Sequence, residues 1–130
     1  MSTDLEKEIV DRMTDLWRQQ SEFMDLLHKE RGFPKYPVDL TSKVGQKLVK
    51  DISHDCMHEL FESIHLLKNS KDHRKTEINE FDKQSFLEEI SDVWHYLIEI
   101  CILSGISHEE LYSAYIKKGY TNTKRIVSGY

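Results

Sequence analysis

Two stretches of this 130-residue chain carry acids in pairs one helical turn apart: Glu59 and Glu62 in "HELFE", and Glu89 and Asp92 in "LEEISD". Both pairs interrupt apolar stripes. Residues three, four, seven and eleven apart share a helix face, so Glu89 lies with Phe86, Val93, Tyr96 and Ile100, while Glu59 lies with Leu48, Ile52 and Leu66. A carboxylate on a core-facing stripe is costly unless something neutralises it. The neutraliser is a basic side chain, a proton or a metal ion. A single Glu-x-x-Glu is more often a solvated face than a ligand pair, but two such pairs on apolar stripes weigh against that reading. If the two helices pack antiparallel through these faces, four carboxylates converge, and like charges that close do not all stay ionised without a cation. An all-oxygen cage suits Mg2+, or Mn2+ in its place: hard cations that retain water and bridge to phosphates.

The same helices admit a second pattern. Glu62 with His65, and Asp92 with His95, give an acid-x-x-His spacing on each, which is similar to the ligand pattern of di-iron carboxylate bundles. Such a site also requires a bridging acid from each of two further helices, for which the first helix offers Glu22. A non-catalytic helical interaction module is the third reading. The dipeptide His54-Asp55 fits a helix surface.

The elements that must position these residues read as all-α, with no competing strand period, and the short connections favour an antiparallel helical bundle of four main helices. The first helix opens on a capping box, Thr3 with Glu6, carries Leu5, Ile9, Met13, Leu16, Trp17, Phe23, Met24 and Leu27 at helical spacing, and stops at "RGFPKYP". A second helix is expected over about 41–67. A polar connector, "KNSKDHRKTEINEFD", follows with Lys68, Lys71, Arg74 and Lys75. The third helix starts near Asp82 and ends at Gly105. A capping box of Ser107 and Glu110 then starts a short fourth helix, and the polar tail "TNTKRIVSGY" is expected to lie over a surface.

Length and composition fit one domain spanning residues 1–130. With 18 Lys and Arg against 23 Asp and Glu, the net charge of −5 disfavours nonspecific nucleic-acid binding. Cys56 and Cys101 sit in apolar helical patterns and form neither a disulfide framework nor a zinc spacing. The N-terminus lacks an apolar signal region, and no run reaches membrane-spanning length, so a soluble cytoplasmic protein without a membrane partner is expected.

"HELFE" followed by "LEEISD" resembles the Glu-x-x-Glu…Glu-x-x-Asp signature of the all-α nucleoside triphosphate pyrophosphatases, the superfamily of MazG and the dimeric dUTPases. "EEISDVWHYLIEI" and "GISHEELYSAYIKKGYTNTKR" are similar to the dUTPase branch. The resemblance covers residues 41–130 well and the first helix loosely. It implies a MazG/dimeric-dUTPase-like fold and hydrolysis of a nucleoside triphosphate between the α- and β-phosphates, with dUTP the first expected substrate and dCTP the next.

Carried onto this chain, the resemblance implies that Glu59, Glu62, Glu89 and Asp92 hold Mg2+, with Glu59 also polarising the attacking water. Lys118, Asn122 and Arg125 match the C-terminal element and would grip phosphate oxygens. His95 and Gln20 would contact the base, while Trp17 reads as core. Lys71 and Arg74, in the connector between the acid-bearing helices, are further candidates for phosphate contact. The sequence departs from the dUTPase pattern twice. "LLKNSKDHRKTE" lacks the aromatic stretch that usually follows the first acid pair, and Gly119 replaces an Asn after Lys117 and Lys118. Apolar stripes on four helices of a small chain, like the family's habit, imply a homodimer or homotetramer.

Overall fold

Four of the apolar-patterned stretches fold as helices. The computed structural model describes residues 11–129, and among them the fold is all-α: α1 (Arg12–Arg31), α2 (Lys43–Ile64), α3 (Lys83–Leu103) and α4 (His108–Val127), with no strand. The capping box at Thr3 and Glu6, with Leu5 and Ile9, lies outside the described residues. No single described helix is long and apolar enough to cross a membrane. The described residues group into two compact units, one of residues 11–37 and 101–129, the other Val38–Ile100.

In the first unit, Asp11 caps α1 by accepting from the Met13 amide, and Gly32, at φ 67°, closes it with its N–H on the His28 carbonyl, while the Phe33 N–H reaches the Leu27 carbonyl. Only glycine adopts that left-handed turn without strain. His28 Nδ1 donates to the Phe33 carbonyl at 2.7 Å, fixing the exit of the chain. On the outer face Arg18 bridges Asp15 and Glu22. The inner face buries Trp17, Gln20 and Met24. Trp17 donates its indole N–H to the Ile106 carbonyl at 3.3 Å and meets His108 edge to face, which ties α1 to the start of α4. Trp17 is therefore core, as its spacing implies.

The fourth helix is not short. The reciprocal capping box of Ser107 and Glu110 starts it as expected, but it runs for 20 residues and takes in most of the tail. The polar run that reads as a loop is absorbed because Thr121 and Thr123 turn their hydroxyls back onto the Lys117 and Gly119 carbonyls one turn earlier. That geometry satisfies such side chains inside a helix. Lys124 and Arg125 in the last turn complement the helix dipole.

In the second unit, Ser42 caps α2: its Oγ accepts from the Gly45 amide at 3.0 Å and donates to the Asp39 carbonyl at 2.7 Å. The turn presses the Asp39 carbonyl onto the helix at Gly45, where an added Cβ would stand 2.1 Å from that oxygen. Asp82 caps α3, its carboxylate accepting from the Ser85 amide and hydroxyl. Ile52 and Cys56 of α2 and Val93 and Ile98 of α3 are buried. The Cys56 thiol donates to the Val93 carbonyl at 3.6 Å. Asp55 acts on Glu99 and Tyr96, whereas Glu59 acts on Glu89, so rising numbers on α2 meet falling numbers on α3 and the pair is antiparallel.

These local geometries separate two glycines that look alike in sequence. Gly45→Ala is expected to cost about 1–3 kcal/mol, since the clash is with backbone. Gly119→Ala, in a helix with nothing within 4 Å of the new Cβ, is expected to gain about 1 kcal/mol from helix propensity. Urea denaturation of both variants checks the opposite signs.

Candidate active site

The register of α2 on α3 decides where the acids go. Cys56 and Val93 form the buried contact, and one turn beyond it Glu59 comes opposite Glu89 and Asp92. One carboxylate oxygen from each of these three residues lies within 4.8 Å of the other two. Glu59 and Glu89 are half-buried and Asp92 is exposed, so the cluster stands at the rim of the helix pair rather than in its core. The inward-facing acids that the stripes imply are in this respect shallower than expected.

Burial raises the Glu89 carboxyl above its ordinary range. A hydrogen bond with Glu59 and the negative charges of Glu59, Asp92 and Glu62 push it the same way. Carboxylates this close favour either a proton or a cation between them. Glu62 joins the field but not the three-way cluster. Its carboxylate is exposed and lies 3.5 Å from His58 Nε2, one turn back on α2.

The donor chemistry fits a hard divalent cation. All three donors are oxygens, and opposite ligands of Mg2+ stand about 4.2 Å apart, twice its ~2.1 Å bond. No histidine belongs to the cluster among the described residues. His65 instead lines a cavity with Lys71 and Arg74, and Glu22 is paired with Arg18. The di-iron pattern of two acid-x-x-His ligand pairs with bridging acids is thus not assembled in either described unit.

The remaining candidates fall on several elements. His95 is exposed on α3, one turn past Asp92. Gln20 is buried on α1, at 3% exposure. Lys118, Asn122 and Arg125 are exposed on α4 at spacings of four and three, which puts them along one face. Lys71 and Arg74 lie in the connector, in the same unit as the acids.

Glu99 is the acid whose importance the spacing of pairs does not reveal. It is 6% exposed on α3, and burial, with the charge of Asp55, pushes its carboxyl up to about 7. The signal was its setting: it is the lone charged residue in "YLIEICIL", the most apolar run of the third helix. Asp55, part of a dipeptide that reads as plain surface, is the group that faces it.

An all-helical chain with an oxygen-donor cluster built from two antiparallel helices defines the class. The dUTPase family matches residues 10–130, and the chain belongs to that family. At family level it is a dUTPase-like nucleotide pyrophosphatase. The match runs through α1, which the sequence resemblance covered only loosely. Searches of curated proteins and of solved structures return no match.

Glu99 makes stability depend on pH. Its carboxyl ionises at about 7 in the folded chain, against 4.5 for an unperturbed Glu. The folded state therefore holds a proton that the unfolded state releases. Its contribution is intact below the unfolded value and is lost as pH rises through the folded value, by roughly 3 kcal/mol at alkaline pH. Glu99→Gln is expected to remove this loss, so urea denaturation at pH 5 and pH 8.5 should show a smaller pH difference in the variant than in the parent.

Proposed function

We propose that the chain is a Mg2+-dependent nucleoside triphosphate pyrophosphohydrolase that converts a deoxynucleoside triphosphate, dUTP first and dCTP next, to the monophosphate and pyrophosphate. The observation that carries this reading is the convergence of Glu59, Glu89 and Asp92 oxygens within 4.8 Å, in a chain of the dUTPase family. Glu59, Glu89 and Asp92, with Glu62 completing the set, would hold Mg2+ or Mn2+. Bound there, the cation would acidify water and neutralise phosphate charge.

The chain's own residues do the rest. Glu59 polarises the attacking water by accepting a hydrogen bond from it, which orients the lone pair toward the anhydride between the α- and β-phosphates. Lys118 and Arg125 oppose the negative charge on phosphate oxygens, and Asn122 donates to them. His95 and Gln20 present ring and amide groups to the edge of a base. An acidic protein needs such local positive groups, because its net charge of −5 repels a triphosphate. The exposed aromatic and aliphatic side chains of α4, Tyr115 at 75% and Val127 at 83% among them, support a homodimer or homotetramer, which burial between copies would stabilise. A monomer in light scattering at micromolar concentration would count against that assembly.

Incubation with Mg2+ and each deoxynucleoside triphosphate, followed by chromatography, is expected to give monophosphate and pyrophosphate from dUTP in preference to the others. Glu59→Gln should lower kcat by about 100-fold or more with little change in melting temperature, and EDTA should abolish turnover. Release of orthophosphate alone would rule the reaction out.

A further inference from the structure

The connector 68–82 reads as a polar loop, yet it builds a cavity. The Asn69 side chain ties the loop back on itself: its Nδ2 donates to the Ile78 carbonyl and its Oδ1 accepts from the Ile78 amide, each at 2.8 Å. Further turns, Ser70 N–H to the Leu67 carbonyl and Arg74 N–H to the Lys71 carbonyl, shape the segment inside that clamp. Together with the last residues of α2 it encloses about 400 Å3, within the range of small-molecule pockets.

The polar lining of this cavity has one sign. Lys68, Lys71, Arg74 and His65 face it, and no acid does. In a chain of net charge −5 this is a local reversal. Lys68 also acts on the Asp82 carboxyl, helping to hold it below the usual carboxylate range. Lys71 and Arg74 have no ion-pair partner among the described residues. Ile64, Leu67 and Ile78 form the apolar part of the wall, which lowers the local dielectric and strengthens attraction for an anion. The C-terminal end of α2 opposes this with about half a negative charge. Its last carbonyls are engaged by the His65, Leu66 and Leu67 amides, and three full cationic charges outweigh it.

We propose that this cavity, which shares no lining residue with the acid cluster, is an anion site that takes a di- or triphosphate group without a divalent cation. Lys71 and Arg74 grip the phosphate oxygens, Arg74 by its planar fork of N–H donors. Lys68 adds charge, and the Asn69 clamp holds the loop in the binding conformation. The phosphate group comes either as free pyrophosphate or as the tail of a nucleotide. The site does not depend on the proposed reaction, since it requires neither metal nor turnover.

Calorimetric titration of the full chain in EDTA, with inorganic pyrophosphate in one arm and α,β-imido-dUTP in the other, tests this. Saturable binding in at least one arm is expected. It should weaken tenfold or more in Lys71→Ala and Arg74→Ala, and also in Asn69→Ala, which removes the clamp but no charge. Lys29→Ala, which removes one charge from the exposed end of α1, should change affinity less than twofold. Tighter binding of pyrophosphate identifies the free anion as the ligand, and tighter binding of the imido compound identifies a nucleotide. Absence of binding in both arms, or binding that the Lys71 and Arg74 variants leave unchanged while their melting temperatures match the parent, would overturn the proposal.

Discussion

Mutual repulsion among three carboxylates is the constraint around which the second unit is arranged. Glu59, Glu89 and Asp92 are brought within 4.8 Å by a helix register that the buried Cys56–Val93 contact fixes. Packing stabilises that register through Ile52, Cys56, Val93 and Ile98, and the acids are carried along with it. Electrostatics alone would drive the two helices apart at this point. Burial first, and then the neighbouring negative charges, raise the Glu89 carboxyl. A shared proton relieves the repulsion at a cost in negative charge, whereas a divalent cation relieves it and leaves charge to spare for a phosphate.

The distribution of charge follows the same logic on a larger scale. Acids dominate the composition, and the described lysines and arginines that ion-pair on α1 and α2, Arg18 and Lys47, do so with acids on their own helix. Surface pairs of that kind contribute little. Lys68, Lys71 and Arg74 gather around the connector cavity. A polyanion approaching this protein therefore meets a generally repulsive surface with a few attractive places, which favours recognition by position over attraction by net charge.

Much of this was legible in the sequence, because the helical period and the caps are local. The Gly32 stop and the Ser107–Glu110 box were readable for that reason, and so were the acid pairs, whose one-turn spacing survives any packing. The length of α4 was not readable, because Thr121, Asn122 and Thr123 favour loops by composition, and only the hydroxyl bonds of the two threonines to the preceding turn show how a helix accommodates them. The depth of the acids was also misjudged. A stripe position says which way a side chain faces but not how closely the neighbouring helix covers it, and here the fully covered acid is Glu99. The basic residues of the connector were legible but its clamp was not, because it joins Asn69 to Ile78 across nine positions, a pairing that no periodicity encodes.

The central claim is that the carboxylates of α2 and α3 converge because they share a cation. Titration of the full chain with Mn2+ at neutral pH, following the free-ion signal by electron paramagnetic resonance, addresses it most directly. Loss of the free signal on binding, its recovery on adding Mg2+, and at least tenfold weaker binding in Glu89→Gln are the expected results. A free-ion signal unchanged by excess protein would contradict the claim and leave the shared proton as the neutraliser.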